Sequence, residues 1–383
     1  MRRFTVSLGA AIALCAAAGS AAADPPRLTF SGYLRPQVEL TQRPEAAPRD
    51  EFDFAVTESR AGLIASGEPV ADFKVDLHVL IGAETTELVT EVKPVDNDND
   101  GVPDQVDSKR RFDAAFTLER ATVTWRPDPR LETTVGLRAI PFSAQSATAT
   151  TVMVFPDLVP LHRLFVRDTD LGAMAHLTTF DKVWSVSAGA WNGTGRQVSA
   201  PGDGPLLSLR LDWNPRGEFP FRETDTSRGP LRIGLGGGVL FRQMRFFDAT
   251  GHPAGRSRDL RAAASARVAI AGFTAQAELF RRQIADNVSS RPEVATGAYL
   301  LATYYHLVSP MGLAPIMRIG WLRDLEFVDP VHGSSFELGL AIYPRPNAPD
   351  PDYMRLALSY AGVKDAPTGE RTHSGIAQFR VRW

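Results

Sequence analysis

The chain has 383 residues, with 42 Lys and Arg against 44 Asp and Glu, and Cys15 is its single cysteine. This near balance of charge gives no general attraction to nucleic acid, and no apolar run long enough for a membrane helix follows the N-terminal segment. A soluble chain of this length would divide into two or three domains joined by linkers, yet no linker composition interrupts the sequence from about Leu28 onward.

Met1-Arg2-Arg3, the apolar stretch 4–19 and Ala21-Ala22-Ala23 before Asp24 read as a secretory signal peptide spanning 1–23. Cys15 falls inside it, so a mature chain 24–383 would form no disulfide. Leu14 is too bulky for the position before an acylated cysteine.

Beyond the signal the pattern is alternation with a period of two. Phe73, Val75, Leu77, Val79 and Ile81 oppose Lys74, Asp76 and His78; Leu207, Leu209, Leu211 and Trp213 oppose Ser208, Arg210 and Asp212. At the end, Gly375, Ala377, Phe379, Val381 and Trp383 oppose Ser374, Gln378, Arg380 and Arg382. Strands are predicted near 28–41, 52–66, 72–84, 111–126, 131–141, 169–180, 183–192, 205–215, 231–246, 257–270, 272–285, 293–306, 313–326, 334–344, 353–364 and 372–383. Short and long connections mostly alternate between them, as in a barrel with one periplasmic and one external end.

The expected fold is therefore all-β: one transmembrane antiparallel up-and-down β-barrel of about sixteen strands. The connection 216–230 is too long for a simple turn, so a missed hairpin and eighteen strands stay open. The strand around 298–305 is apolar on both faces, which leaves its phase open. Closure requires the first and last strands to pair, because an open edge leaves backbone groups unsatisfied in lipid. Gly234-Leu235-Gly236-Gly237-Gly238 lacks the Lys-Ser/Thr ending of a phosphate loop and reads as strand with small residues.

Read inward by alternation, the lumen receives Arg35, Arg60, Lys74, Arg120, Arg138, Arg210, Arg232, Arg242, Arg261, Arg267, Arg282, Arg318, Arg355, Arg380 and Arg382. The matching acids are Glu39, Glu58, Asp76, Glu132, Asp170, Asp212, Glu278, Asp324 and Glu337, which leaves a surplus of positive charge. Such a surplus in a narrow pore favours anions; the alternative is that the arginines keep a wide lumen wet and pair with nearby acids.

Two loops stand out. In the acidic external loop 85–110, Asp96, Asp98, Asp100, Asp104 and Asp107 surround Gly101 with the spacing of a calcium loop, similar to thrombospondin type-3 repeats more than to an EF-hand. A metal-free acidic loop remains the other reading, and no cofactor is required. Loop 142–168 joins a small-residue stretch, 143–151, to Phe155, Leu158 and Leu161 as apolar anchors. It would carry His162, Arg163 and Arg167 to a constriction, or else pack at the mouth or at a trimer contact.

Several segments resemble the phosphate-selective porin O and P family. Arg60-Ala61-Gly62-Leu63 with Gly67 is similar to its second strand, and Glu119-Arg120-Ala121-Thr122-Val123-Thr124-Trp125 to its strand before the constriction. Val135 to Ser143, containing Ile140-Pro141-Phe142-Ser143, resembles its Val-Gly-x-x-x-x-Pro-Phe-Ser segment, and Trp191-Asn192-Gly193 its aromatic-Asn-Gly turn. The resemblance implies a sixteen-stranded, commonly trimeric channel with a long loop folded into the pore after the fifth strand. No complete arginine ladder maps onto this chain.

The expectation is a non-enzymatic outer-membrane porin for small solutes, anion-preferring, with phosphate or another oxyanion among them. Its partners would be small anionic solutes, outer-membrane lipid, the barrel assembly machinery and two further copies of itself, with no nucleic acid. The alternatives are a barrel hydrolase of the phospholipase or protease kind, and a plugged structural or adhesive barrel.

Overall fold

The computed structural model describes residues 27–42, 52–55, 59–70, 72–86, 93–95, 105–107, 111–148, 153, 155, 165, 169–193, 204–247, 253–286, 292–324, 331–347, 351–364 and 371–382. The signal-peptide reading and Trp383 lie outside them.

Sixteen strands form the wall. They are β1 (Arg27–Arg35 and Gln37–Gln42, broken at Pro36), β2 (Phe52–Ala55 and Ser59–Val70), β3 (Phe73–Thr86), β4 (Arg111–Asp128), β5 (Leu131–Ala139), β6 (Thr169–Thr178), β7 (Trp184–Trp191) and β8 (Leu206–Trp213). The second half comprises β9 (Arg232–Phe247), β10 (Pro253–Ile270), β11 (Phe273–Asp286), β12 (Glu293–Tyr304, continuing as His306–Val308), β13 (Met311–Asp324), β14 (Val331–Tyr343), β15 (Met354–Lys364) and β16 (Arg371–Arg382).

Each strand pairs antiparallel with its neighbours in sequence, and the sheet closes where Tyr33 faces Arg382 and Gln37 to Gln42 face Gln378 to His373. Closure satisfies the backbone of both end strands, which an open sheet in lipid would leave unpaired. Pro36 has no N–H to give, but its carbonyl still accepts from Phe379 N at 3.1 Å. A separate two-stranded ribbon pairs Lys93–Val95 with Gln105–Asp107. Among the described residues no helix is long and apolar enough to cross a membrane.

The period of two sorts the two faces. On β8, Arg210 is 2% exposed and Asp212 5%, while Leu211 between them is 45% exposed. The same outward display continues through Leu235, Val239 and Phe241 on β9, Leu300 on β12, and Phe336 and Leu338 on β14. An apolar surface encircling the molecule has no place in water, and lipid is the solvent that matches it. Aromatic rings flank the band. Phe73 stacks on Trp125 at 6.3 Å and Trp184 packs on Trp213 at 5.9 Å near the end carrying the short turns; Trp321, Phe336 and Tyr360 stand nearer the other.

The short turns follow local chemistry. β10 and β11 meet in a two-residue turn, Ala271-Gly272, with φ of 49° and 95°. Positive φ at both central positions gives the hairpin the twist of its strands, and Gly272 adopts it without steric penalty.

The strand count and the phase of β12 both follow from this fold. The connection 214–231 contains no strand, so the count is sixteen; it enters the lumen instead of hanging below the barrel. The phase of β12 is also fixed: Ala295, Tyr299, Leu301 and Thr303 are buried inward, and Leu300 and Tyr304 face out. Its inner face is apolar because protein, not water, covers it.

Candidate channel constriction

What covers that face is the segment after β5. Ile140 and Phe142 are fully buried, and Ser143 then starts a single helical turn, α1 (Ala144–Ala147). Ser146 N donates to Ser143 Oγ at 2.9 Å while Ser143 N donates to Ser146 Oγ at 2.8 Å, a reciprocal cap that satisfies both donors. The next two amides, Ala144 N and Gln145 N, donate to the Glu278 carboxylate on β11 at 2.5 and 3.1 Å. Glu278 also accepts from the Tyr299 hydroxyl of β12 at 2.6 Å. A buried carboxylate with this many donors is a fixed anchor for the incoming chain.

Farther along, wall arginines hold the same segment by its carbonyls. Arg210 donates to Phe142 O at 2.9 Å, Arg261 to Phe165 O at 3.0 Å, and Arg355 and Arg380 both to Met153 O. Arg318 lies 4.5 Å over the Phe155 ring. Carboxylates neutralise three of these guanidiniums: Asp212 at 2.6 Å from Arg210, Asp259 at 2.5 Å from Arg261, and Glu337 at 2.5 Å from Arg318. Asp259 holds Arg282 as well, at 3.3 Å.

Glycines mark the points of closest approach. A Cβ on Gly238 would lie 2.1 Å from Phe142 O, and one on Gly297 would lie 2.7 Å from the Phe165 ring. Gly234 and Gly236 likewise leave room for Phe219 and for the Arg210–Asp212 pair. The glycine-rich run on β9 is thus a seat for protein backbone and side chains.

The anchors run from β8 round to β16, so the described residues of the segment after β5 lie against that half of the inner wall. The opposite half, β2 to β6, keeps half-exposed inward groups. Lys74 pairs with Asp76 at 3.1 Å, Arg126 with Glu132 at 2.9 Å, and Arg138 reaches Glu132 at 4.0 Å. Arg60 is part-exposed, and Arg120 stands close enough to Arg138 for their charges to interact. A bulge in β4 slips the register beside His78 and brings Glu119 to 2.9 Å from the His78 ring. His176 shares hydrogen bonds with Ser187 at 2.8 Å and Thr178 at 3.0 Å on the inner wall, so its second nitrogen meets a hydroxyl and not a carboxylate.

The remaining expected positions divide as follows. Arg35 is buried inward on β1, Arg242 is buried on β9, Arg232 pairs with Asp225 and Arg267 packs against Phe219 and Phe221. His162, Arg163 and Arg167 lie outside the described residues, as do Asp96, Asp98, Asp100 and Asp104; Asp107 closes the short ribbon. Among the described residues, inward carboxylates that were not expected include Glu119, Glu223, Asp225 and Asp259. Asp259 shares the parity of Arg261 and was readable. Glu119 was hidden by the bulge, and the other two by their place outside any strand.

No protein-family model matches the chain, and no curated protein matches it in sequence. Solved structures do match. OprB of Pseudomonas putida is similar with a TM-score of 0.58 at 10% identity, covering 98% of this chain and 97% of that one. OmpF of Salmonella typhi gives 0.58 at 9% over 93% and 97%. The trimer form of OmpT, an outer membrane protein of Vibrio cholerae, gives 0.55 at 12% over 94% and 100%. The fold is that of an outer-membrane β-barrel. At these identities the likeness carries the architecture alone.

Proposed function

We propose that this chain is an outer-membrane porin, a passive, non-enzymatic channel for small solutes that favours anions, phosphate or other oxyanions among them. One observation carries the reading: a loop anchored on one half of the inner wall, facing a half lined by Arg60, Lys74, Arg120 and Arg138. Carboxylates at Asp76, Glu119 and Glu132 lie among them, so the preference is modest. The arginines of the covered half are engaged by carbonyls and carboxylates and add little to it. Membrane insertion through the assembly machinery and a homotrimer complete the picture, the latter supported by the trimer form of the similar Vibrio barrel.

Reversal potential in a KCl gradient across a planar bilayer tests the preference. Chloride should permeate roughly two- to fivefold better than potassium. The double variant Arg120→Glu, Arg138→Glu should reverse the sign of the potential. Cation selectivity in the native protein would remove the anion reading and leave the porin intact.

Calcium binding at 96–107 is proposed on the carboxylate spacing, with the ribbon supporting it: Val95 opposite Gln105 brings the two ends of the acidic segment together. Calcium should raise the melting temperature, and Asp98→Asn with Asp100→Asn should abolish the rise; an equal rise in that variant would contradict the assignment.

A further inference from the structure

The connection between β8 and β9 starts as Asn214-Pro215-Arg216-Gly217-Glu218-Phe219-Pro220-Phe221. Its three prolines, Pro215, Pro220 and Pro230, and its lack of alternation explain why no strand forms. A solvated turn would nevertheless leave its polar groups in water, and this one buries them: Glu223, Thr224 and Asp225 are 3%, 4% and 5% exposed.

Its base is tied to the neighbouring turn. Asp225 accepts from Ser227 Oγ at 2.6 Å, from Gly272 N at 3.2 Å and from Arg232, while Ala271 N donates to Gly229 O at 2.9 Å. Above this, Arg267 packs on the Phe221 ring at 3.9 Å and donates to Phe219 O at 3.2 Å. The tip crosses to distant strands. Thr303 on β12 donates to Glu223 O at 2.9 Å, and the Tyr343 hydroxyl on β14 reaches Thr224 Oγ1 at 3.4 Å. There it meets the constriction loop: Phe155 N donates to the Glu223 carboxylate at 3.4 Å. Arg222 is exposed between Phe221 and Glu223.

We propose that 214–231 is a second constricting element, entering from the turn end, which props the constriction loop and presents Arg222 to the permeating solute. The proposal rests on the porin reading and deepens it: the bore is set by two inserted segments in contact, one from each end of the barrel.

Single-channel recording on the full-length protein tests it with two variants. Deleting 217–229 should raise conductance roughly 1.5-fold or more and increase current noise, because the loop loses its support. Arg222→Cys, in a chain whose only other cysteine is Cys15, allows a sulfonatoethyl methanethiosulfonate to place a negative charge at the tip. Full labelling should lower the anion-to-cation permeability ratio roughly twofold. A folded deletion variant with native conductance would overturn the propping role, and complete labelling without change in permeation would overturn the role of Arg222. The labelled variant decides the matter if the deletion does not fold. A native protein that forms no channel would instead overturn the porin reading itself.

Discussion

At the residue scale, side-chain size and charge at a few wall positions decide where the loop lies. Gly238 faces Phe142 O so closely that any Cβ must displace backbone. Gly238→Val should lower stability by about 1–3 kcal/mol through overpacking, read as a lower temperature for loss of the folded band on a gel, and should alter conductance because the loop start must move. Native conductance in a folded Gly238→Val protein would contradict that seating. Glu278 makes a different demand, since it accepts from two amides and a tyrosine. Glu278→Gln keeps its shape but puts an N–H among donors, and the expected loss is about 1.5–3 kcal/mol. An unchanged melting temperature would show that the amides find another acceptor.

Elements were legible wherever one face met lipid and the other met polar groups. β8 and β16 show this alternation cleanly, because Leu209 and Phe379 face out while Arg210 and Arg380 face in. β12 was ambiguous for a physical reason: it faces lipid on one side and the buried Phe165 and Phe280 on the other, so both faces are apolar. The loop's apolar anchors were visible in Phe155, but not the side it would take, because the partners that decide this, Glu278 and Arg261, lie on strands far along the chain. The inward course of 214–231 left no pattern at all, since its contacts with Thr303 and Tyr343 follow from tertiary placement alone. At this scale, removing the loop anchors with Arg355→Ala and Arg380→Ala together should free the segment near Met153. The expected signs are faster proteolysis in the loop and noisier current; a cleavage pattern identical to that of the native protein would argue that the other anchors suffice.

For the whole molecule, closure and charge distribution matter more than net charge. A chain of formal charge −2 directs its apolar side chains to lipid and gathers its strand arginines inside, most of them engaged on one half of the lumen. The half that stays accessible is mixed in sign. This organisation needs both an uninterrupted bilayer-spanning wall and a passage that the inserted segments narrow without sealing. Single-channel conductance of the purified protein in a planar bilayer measures that most directly. Discrete, ohmic steps smaller than those of a variant lacking the inserted segment 143–165 are the expected result. An insulating bilayer containing correctly folded protein, with steps only after that segment is removed, would mean that the barrel is plugged and that it is not a porin.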